Sequence, residues 1–161
     1  MIRLVFIILI TACFLAGSKA QKPDAAAHRA PECQGNVRQN PKVMARVAEF
    51  LDELQAAIAA NDRDHVASLI HYPLRVATKD RRFIVRSKAD LIDQYDRIFP
   101  PEIKNVLMSE QPDCANISSR GPLMFGDGTV WFNSFAGEKL STSGEFKIIT
   151  INPPLPPSAA R

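Results

Sequence analysis

The sequence has few of the residues from which metal sites and nucleophilic active sites are built. It contains 3 histidines and 3 cysteines, and within the predicted helices no histidine has a cysteine or an acid four residues away, as a metal site on a helical face would need. The serines of residues 141–144 lack the flanking glycines of a nucleophile elbow. We therefore predict no metal and no cofactor, and the sequence contains no recognisable catalytic cluster.

The chain also lacks a large excess of charge of one sign. It has 20 Lys and Arg against 17 Asp and Glu. Removal of residues 1–20 takes away Arg3 and Lys19 and no acid, so the net charge falls from +3 to 18 − 17 = +1. A near-neutral chain has no global field that attracts nucleic acid or a membrane. We therefore expect no nucleic-acid partner.

Only one long apolar run is present, and it lies at the N-terminus. Residues 4–16 follow Arg3 and precede the small residues Ser18 and Ala20, which is the pattern of an export signal. At about 13 residues, the run is shorter than the roughly 20 that a bilayer core requires. We expect cleavage near Ala20 and a periplasmic or secreted protein. The alternative is a lipoprotein anchored through Cys13, and only in that form do we expect a membrane partner.

Two cysteines, Cys33 and Cys114, remain after cleavage near Ala20. An even number of cysteines in an oxidising compartment favours a disulfide bond between them. Such a bond closes a loop of about 80 residues and stabilises the fold by about 2 to 4 kcal/mol. The alternative that the sequence leaves open is two buried thiols that never meet.

Helical periodicity begins after a leader, residues 21–40, that has no hydrophobic period. Asn40 and Pro41 are typical of a helix start, and apolar residues then recur on one helical face to near residue 61. A second, shorter helix is expected to continue to residue 71, where the proline at position 73 stops it. A capping-box pattern at residues 87–90 opens a third helix, which the prolines at 100 and 101 end.

Residues 102–108 can form one or two more helical turns, and strand patterns lie on both sides of the third helix. Residues 74–77 and 83–85 predict one hairpin, and residues 123–125 and 129–132 predict another around the turn at Gly126–Gly128. Alternation in this second hairpin places Val130 and Phe132 on one face and Trp131 on the other. Residues 146–151 supply a final strand, after a loop or ragged strand at 133–144. The proline-rich residues 153–161 predict an extended tail.

This element order predicts an α+β domain over residues 41–152, with a long N-terminal helix and shorter helices packed on a curved antiparallel sheet. The order resembles the nuclear transport factor 2-like superfamily, the cone-shaped fold shared with ketosteroid isomerase and polyketide cyclases. Residues 72–76, 95–99 and 126–132 also resemble small uncharacterised exported bacterial proteins of that shape. The superfamily includes enzymes, binding modules and assembly domains, so the resemblance implies a fold and no single activity.

The resemblance also implies that any ligand cavity lies inside the cone, between the long helix and the sheet. Tyr72, Tyr95 and Trp131 are then candidate ligand-binding residues, and Asp96 is the candidate catalytic residue. The alternative is that the aromatic residues fill the core and that Asp96 lies at the solvent edge of its helix. The tyrosine and acid pair of the isomerase type cannot be placed on any motif of this sequence.

One dense group of cations lies on or beside the first predicted hairpin: Arg75, Lys79, Arg81, Arg82, Arg86 and Lys88. Such a group suits anionic glycans, lipid headgroups or an acidic partner. The alternative is a solvated edge that deters strand-to-strand aggregation.

We expect an exported, non-enzymatic module that binds a small molecule or an envelope protein, with a homodimer as an open option. The alternative is a small isomerase- or cyclase-like enzyme that uses an acid in the cone, for which Asp96 is the candidate.

Overall fold

The computed structural model describes residues 35–118 and 121–154. The predicted export signal, Cys13, Cys33 and residues 155–161 of the predicted tail lie outside the described residues. Five α-helices are present in these ranges: α1 Pro41–Ala59, α2 Arg63–Ser68, α3 Lys88–Asp93, α4 Tyr95–Ile98 and α5 Pro101–Ser109. Seven strands accompany them: β1 Ile70–Ala77, β2 Arg82–Val85, β3 Asn116–Ile117, β4 Leu123–Phe125, β5 Val130–Ala136, β6 Lys139–Leu140 and β7 Glu145–Ile151.

The long helix α1 forms where the sequence predicts it. The Asn40 side chain accepts a hydrogen bond from the Val43 amide at 3.2 Å, and Pro41 occupies the first helical turn. The apolar positions form one buried stripe along the helix: Val47, Phe50, Leu51, Leu54, Ala57 and Ile58. This stripe holds α1 against the sheet.

Strand β1 starts earlier than the sequence predicts. The expected helix to residue 71 is wrong, because α2 ends at Ser68 and β1 begins at Ile70. The reason is tertiary: the amide of Ile148 in β7 donates to the Leu69 carbonyl at 2.8 Å, and Ile70 is paired with Ile148. Pairing with a distant strand overrides the local helical pattern. The peptide bond between Tyr72 and Pro73 within this strand is cis.

The third predicted helix is capped as expected and is divided into two pieces. The Ser87 hydroxyl oxygen accepts from the Asp90 amide at 3.2 Å, so the predicted N-cap is confirmed. The helix breaks at Gln94, between α3 and α4, and Pro101 opens α5. The short helices therefore follow the proline and cap positions closely.

All seven strands belong to one mixed sheet with the order β2-β1-β7-β5-β4-β3, and β6 pairs with the end of β5. Neighbouring strands are antiparallel except β1 and β7, which are parallel. The expectation of a wholly antiparallel sheet is therefore wrong at this pair. Both hairpins and the final strand form as predicted. The final strand, β7, lies between β1 and β5, and the residue pattern of a strand does not specify which distant strand it pairs with.

The helices cover one face of this sheet. Phe132 of β5 contacts Phe50 of α1 with ring centroids 5.1 Å apart, which identifies the inner face. Inner-face side chains across four strands are fully buried: Val76, Ile151, Val130 and Phe125. The end of the predicted leader is structured as well, since a 3-10 helix at Asn36–Gln39 buries Val37.

Candidate functional site

The space between α1 and the sheet is filled by phenylalanine rings. Phe132 lies at the centre, with ring centroids 4.5 Å from Phe125, 5.1 Å from Phe50 and 5.4 Å from Phe146. Phe125 and Phe132 are completely buried. These rings occupy the position in which the resemblance implies a ligand cavity, and their close packing is that of a protein core.

Tyr95 is part of this apolar interior. Its side chain is fully buried beside Phe99, and its hydroxyl has no hydrogen-bond partner within the described ranges. Arg63 and Lys104 lie near its ring, each with its charge 5.0 Å from the centroid. Burial raises the pKa of Tyr95, with Arg63 acting in the opposite direction. The phenol is therefore neutral at physiological pH.

Tyr72 lies at the edge of the core in β1. Its hydroxyl donates to the Ala67 carbonyl at 3.1 Å. Burial and the nearby Asp90 carboxylate raise the pKa of Tyr72 to about 12. The side chain is therefore a satisfied hydrogen-bond donor that ties β1 to α2.

Asp96 lies on the surface. Its side chain is 68% exposed, and its carboxylate pairs with Arg63 at 2.9 Å and with Lys104 at 3.8 Å. The same two cations flank the Tyr95 ring from outside the core. Asp96 therefore lies at the solvent edge of its helix, as in the alternative that the sequence leaves open.

Trp131 lies on the face of the sheet that is opposite the helices. It alternates with the buried Val130 and Phe132 as predicted, and it is half-buried. Its indole Nε1 donates to the Gly128 carbonyl at 2.8 Å, so the turn after β4 holds the ring in place. Trp131 and Tyr95 are thus separated by the sheet, and the three candidate aromatic residues do not converge on one cavity.

The register of the sheet aligns Trp131 with side chains from five other strands. Residues at paired positions share a face, because successive side chains of a strand alternate. The outer row, which lies on the face that no described helix covers, consists of Ile84, Arg75, Thr150, Trp131, Met124 and Asn116. Alternation along each strand predicts that Ile84 and Met124 lie on the face opposite to that of their buried chain neighbours. Only the pairings between distant strands show that these side chains form one row.

One end of the outer row carries the basic hairpin, which consists of β1, β2 and their connecting turn. Ile84 at this end is 51% exposed and lies directly across from Arg75. Arg97 of α4 adds a cation on the helix side of β2, since its guanidinium lies 4.5 Å from the Phe83 ring centroid, and Arg81 lies 5.4 Å from the same centroid. Sequence reasoning missed Arg97 because it is contributed by another element.

A cleft of about 350 Å³ opens between α1 and β7. Arg46 crosses it and donates to the Thr142 carbonyl at 2.6 Å and to the Ser134 hydroxyl at 3.0 Å, and its guanidinium lies over Phe146. Lys147 donates to the Ser68 carbonyl at 3.0 Å. The cations of this cleft are therefore already bonded to the protein, and they tie the helix and the loop before β7 to the sheet.

The described chain begins beside Cys114. A Cβ atom on Gly35 would collide with the backbone of Asp113, Cys114 and Ala115, so only glycine permits this close approach. Cys33 lies outside the described residues, and its pairing with Cys114 stays a prediction. Cys33 is two positions before Gly35 in the sequence, and two residues of extended chain span at most about 7 Å. The closeness of Gly35 to Cys114 is therefore compatible with the predicted bond.

Neither a metal cluster nor a membrane helix is found where the structure is described. No three His, Cys, Asp or Glu side chains come together as potential metal ligands in residues 35–118 and 121–154. Over the same ranges, every helix is too short or too polar to cross a bilayer.

Comparisons with protein-family models, with curated proteins and with solved structures return no match to this chain. The resemblance to the nuclear transport factor 2-like superfamily therefore stays a prediction. What the structure shows is an α+β domain with helices packed on one face of a mixed seven-stranded sheet.

Proposed function

We propose that the protein is an exported, non-enzymatic binding module that meets its partner on the outer face of the sheet. The observation that carries this proposal is the contrast between the two faces. Phenylalanine rings in mutual contact fill the inner face, whereas the outer row presents a half-buried Trp131 and an exposed Ile84. Aromatic and aliphatic side chains on an uncovered face are typical of interaction surfaces.

Export is part of the proposal and is supported by the apolar and small-residue pattern of residues 1–20. The superfamily resemblance is a second part. It is supported by the long α1 against the sheet and by irregular pairing in β1 and β7, since such bulges bend a sheet. A binding role is compatible with that superfamily.

The test uses the fact that Trp131 is the single tryptophan of the chain. Its emission is recorded with three probes: vesicles that contain phosphatidylglycerol, cell-wall glycan fragments and purified envelope proteins. We expect a probe that binds to shift Trp131 emission. We also expect Met124→Glu, on the outer row beside Trp131, to weaken that binding at least about tenfold, as loss of a central interface contact does.

The matched control is Ala56→Glu, which adds the same charge at an exposed position of α1. It should leave binding unchanged. Turnover of an isomerase or cyclase substrate by the wild-type protein, with unchanged Trp131 emission and no effect of Met124→Glu, contradicts the proposal.

A further inference from the structure

We infer that the basic hairpin docks the outer face of the sheet onto a membrane surface rich in anionic phospholipid headgroups. This inference rests on the proposed function and names the partner of the same face. It differs from the sequence-based expectation, in which the membrane is a partner only through a lipidated Cys13. Lipid headgroups are one of the three partners that the sequence leaves open for these cations, and the arrangement of the cations around Ile84 favours this one.

The first argument is local charge. Residues 75–88 contain six Lys and Arg and one acid, Asp80, so their net charge is 6 − 1 = +5. Of these six cations, only Lys88 forms an ion pair in the described structure, with Asp64 at 2.9 Å. The exposed arginines at 75, 81, 82 and 86 are therefore available to an external anion. Clustered cations of this kind are attracted to anionic lipid headgroups.

The second argument is the position of Ile84 among these cations. Arg75 is its cross-strand partner, and Arg82 shares its face because strand side chains alternate. An exposed aliphatic side chain surrounded by arginines suits the boundary between headgroups and acyl chains, where the apolar group inserts and the cations remain at the phosphates. A soluble polyanion offers no environment for Ile84.

The third argument concerns the competing partners. Phe83 is the one aromatic residue of β2, and Arg81 and Arg97 lie over its ring, so it is not available to stack on bases as single-stranded nucleic acids require. Strand β2 is an edge of the sheet. Pairing of this edge with a second copy would bring Arg82 and Arg86 of both copies together, which charge repulsion opposes.

The protein is purified after secretion by the exporting cell. The experiment measures how much of it floats with vesicles of equal parts phosphatidylglycerol and phosphatidylcholine. We expect binding at low salt, weaker binding at high salt and none to pure phosphatidylcholine. The double variant Arg82→Gln/Arg86→Gln should lose affinity about 10- to 30-fold, at about fivefold for each cation. The control Lys42→Gln/Lys139→Gln removes two exposed cations elsewhere and should change affinity less than about threefold.

Ile84→Thr separates a membrane from a soluble polyanion. It keeps a β-branched residue in the strand and removes the apolar end of the side chain. Vesicle affinity should fall about fourfold or more, while retention on immobilised polyphosphate should not change.

The inference is overturned if the vesicles do not bind, if the two double variants behave alike, or if Ile84→Thr leaves vesicle binding unchanged. A Trp131 response to glycan fragments or envelope proteins, without vesicle binding, removes the lipid inference and keeps the proposed function. No Trp131 response to any probe removes both.

Discussion

Arg75 and Ile84 face each other across the hairpin of β1 and β2, so the most exposed isoleucine of the sheet lies directly beside a guanidinium that forms no ion pair with any described residue. Their partners on the inner face, Leu74 and Val85, are fully buried. The same four residues therefore anchor the hairpin in the core and present its outer side to solvent. This arrangement gives the outer face a cationic end and an apolar centre.

The two faces of β5 predict different mutational costs for adjacent residues. Phe132→Ala removes the ring at the centre of the phenylalanine cluster and should lower the free energy of unfolding by about 3 to 5 kcal/mol. Trp131→Ala removes a larger but half-buried ring from the outer face and should cost less, about 1 to 3 kcal/mol. Urea denaturation measures both. A larger loss for Trp131→Ala would mean that the faces are assigned wrongly.

Asp96 should be dispensable. Asp96→Asn breaks ion pairs with Arg63 and Lys104 at an exposed site, and such pairs contribute about 1 kcal/mol or less. We expect its free energy of unfolding and its binding to anionic vesicles to match those of Asp52→Asn, a control at an exposed position of α1. A selective loss of any catalytic turnover in Asp96→Asn would restore the enzymatic interpretation.

The predicted disulfide bond should stabilise the fold without being required for it. Reduction should lower the free energy of unfolding by about 2 to 4 kcal/mol and lower the melting temperature with it. The reduced protein should stay folded because α1 and the sheet form one core cluster. Thermal denaturation with and without reductant measures the shift. Two free thiols in the mass spectrum of the unreduced protein would refute the pairing of Cys33 with Cys114.

Glu110 predicts a pH dependence of stability. Burial raises the pKa of this carboxyl above its usual 4.5, the hydrogen bond that its Oε2 accepts from the Gly126 amide at 2.9 Å acts in the opposite direction, and Asp127 and Asp113 add to the raising effect. The folded state therefore binds the proton more tightly than the unfolded state. The contribution of Glu110 to stability is complete below pH 4.5 and is lost as the pH rises through its raised folded value.

Glu110→Gln keeps a neutral acceptor for Gly126, so it should match wild type at low pH and become the more stable of the two as the pH rises toward neutrality. Chemical denaturation across this range measures the difference. The control is Glu102→Gln, which removes an exposed acid from α5. Its change in the free energy of unfolding at each pH is subtracted from that of Glu110→Gln. A difference that has the opposite sign at neutral pH would contradict the assigned cause.

The sequence predicts local structure well because caps, prolines and alternation act over a few residues. Asn40, Ser87 and the turn at Gly126–Gly128 perform the expected roles. The start of β1 at Ile70 and the parallel pairing of β1 with β7 were not predictable in this way, because both depend on a strand that lies about 75 residues away in the sequence.

The candidate site was less predictable for a related reason. Alternation along β5 predicts the face on which Trp131 lies. Its alignment with Thr150 and Met124 can be known only from the register of β7, β5 and β4. Tyr95 and Asp96 are adjacent in sequence, yet one is fully buried and the other is 68% exposed. Both residues belong to the four-residue helix α4, and only the side of this helix that carries Tyr95 is buried. No sequence pattern around Asp96 distinguishes a catalytic acid from an acid in a surface ion pair.

The measurement that tests the central claim most directly is acrylamide quenching of Trp131 fluorescence, with and without phosphatidylglycerol vesicles. Trp131 is the only tryptophan of the chain and lies on the outer face, half-buried, across three strand positions from Ile84. If this face is the binding surface, quenching should fall as vesicles are added and should recover when salt releases the protein. Vesicle binding with unchanged quenching of Trp131 would contradict the account.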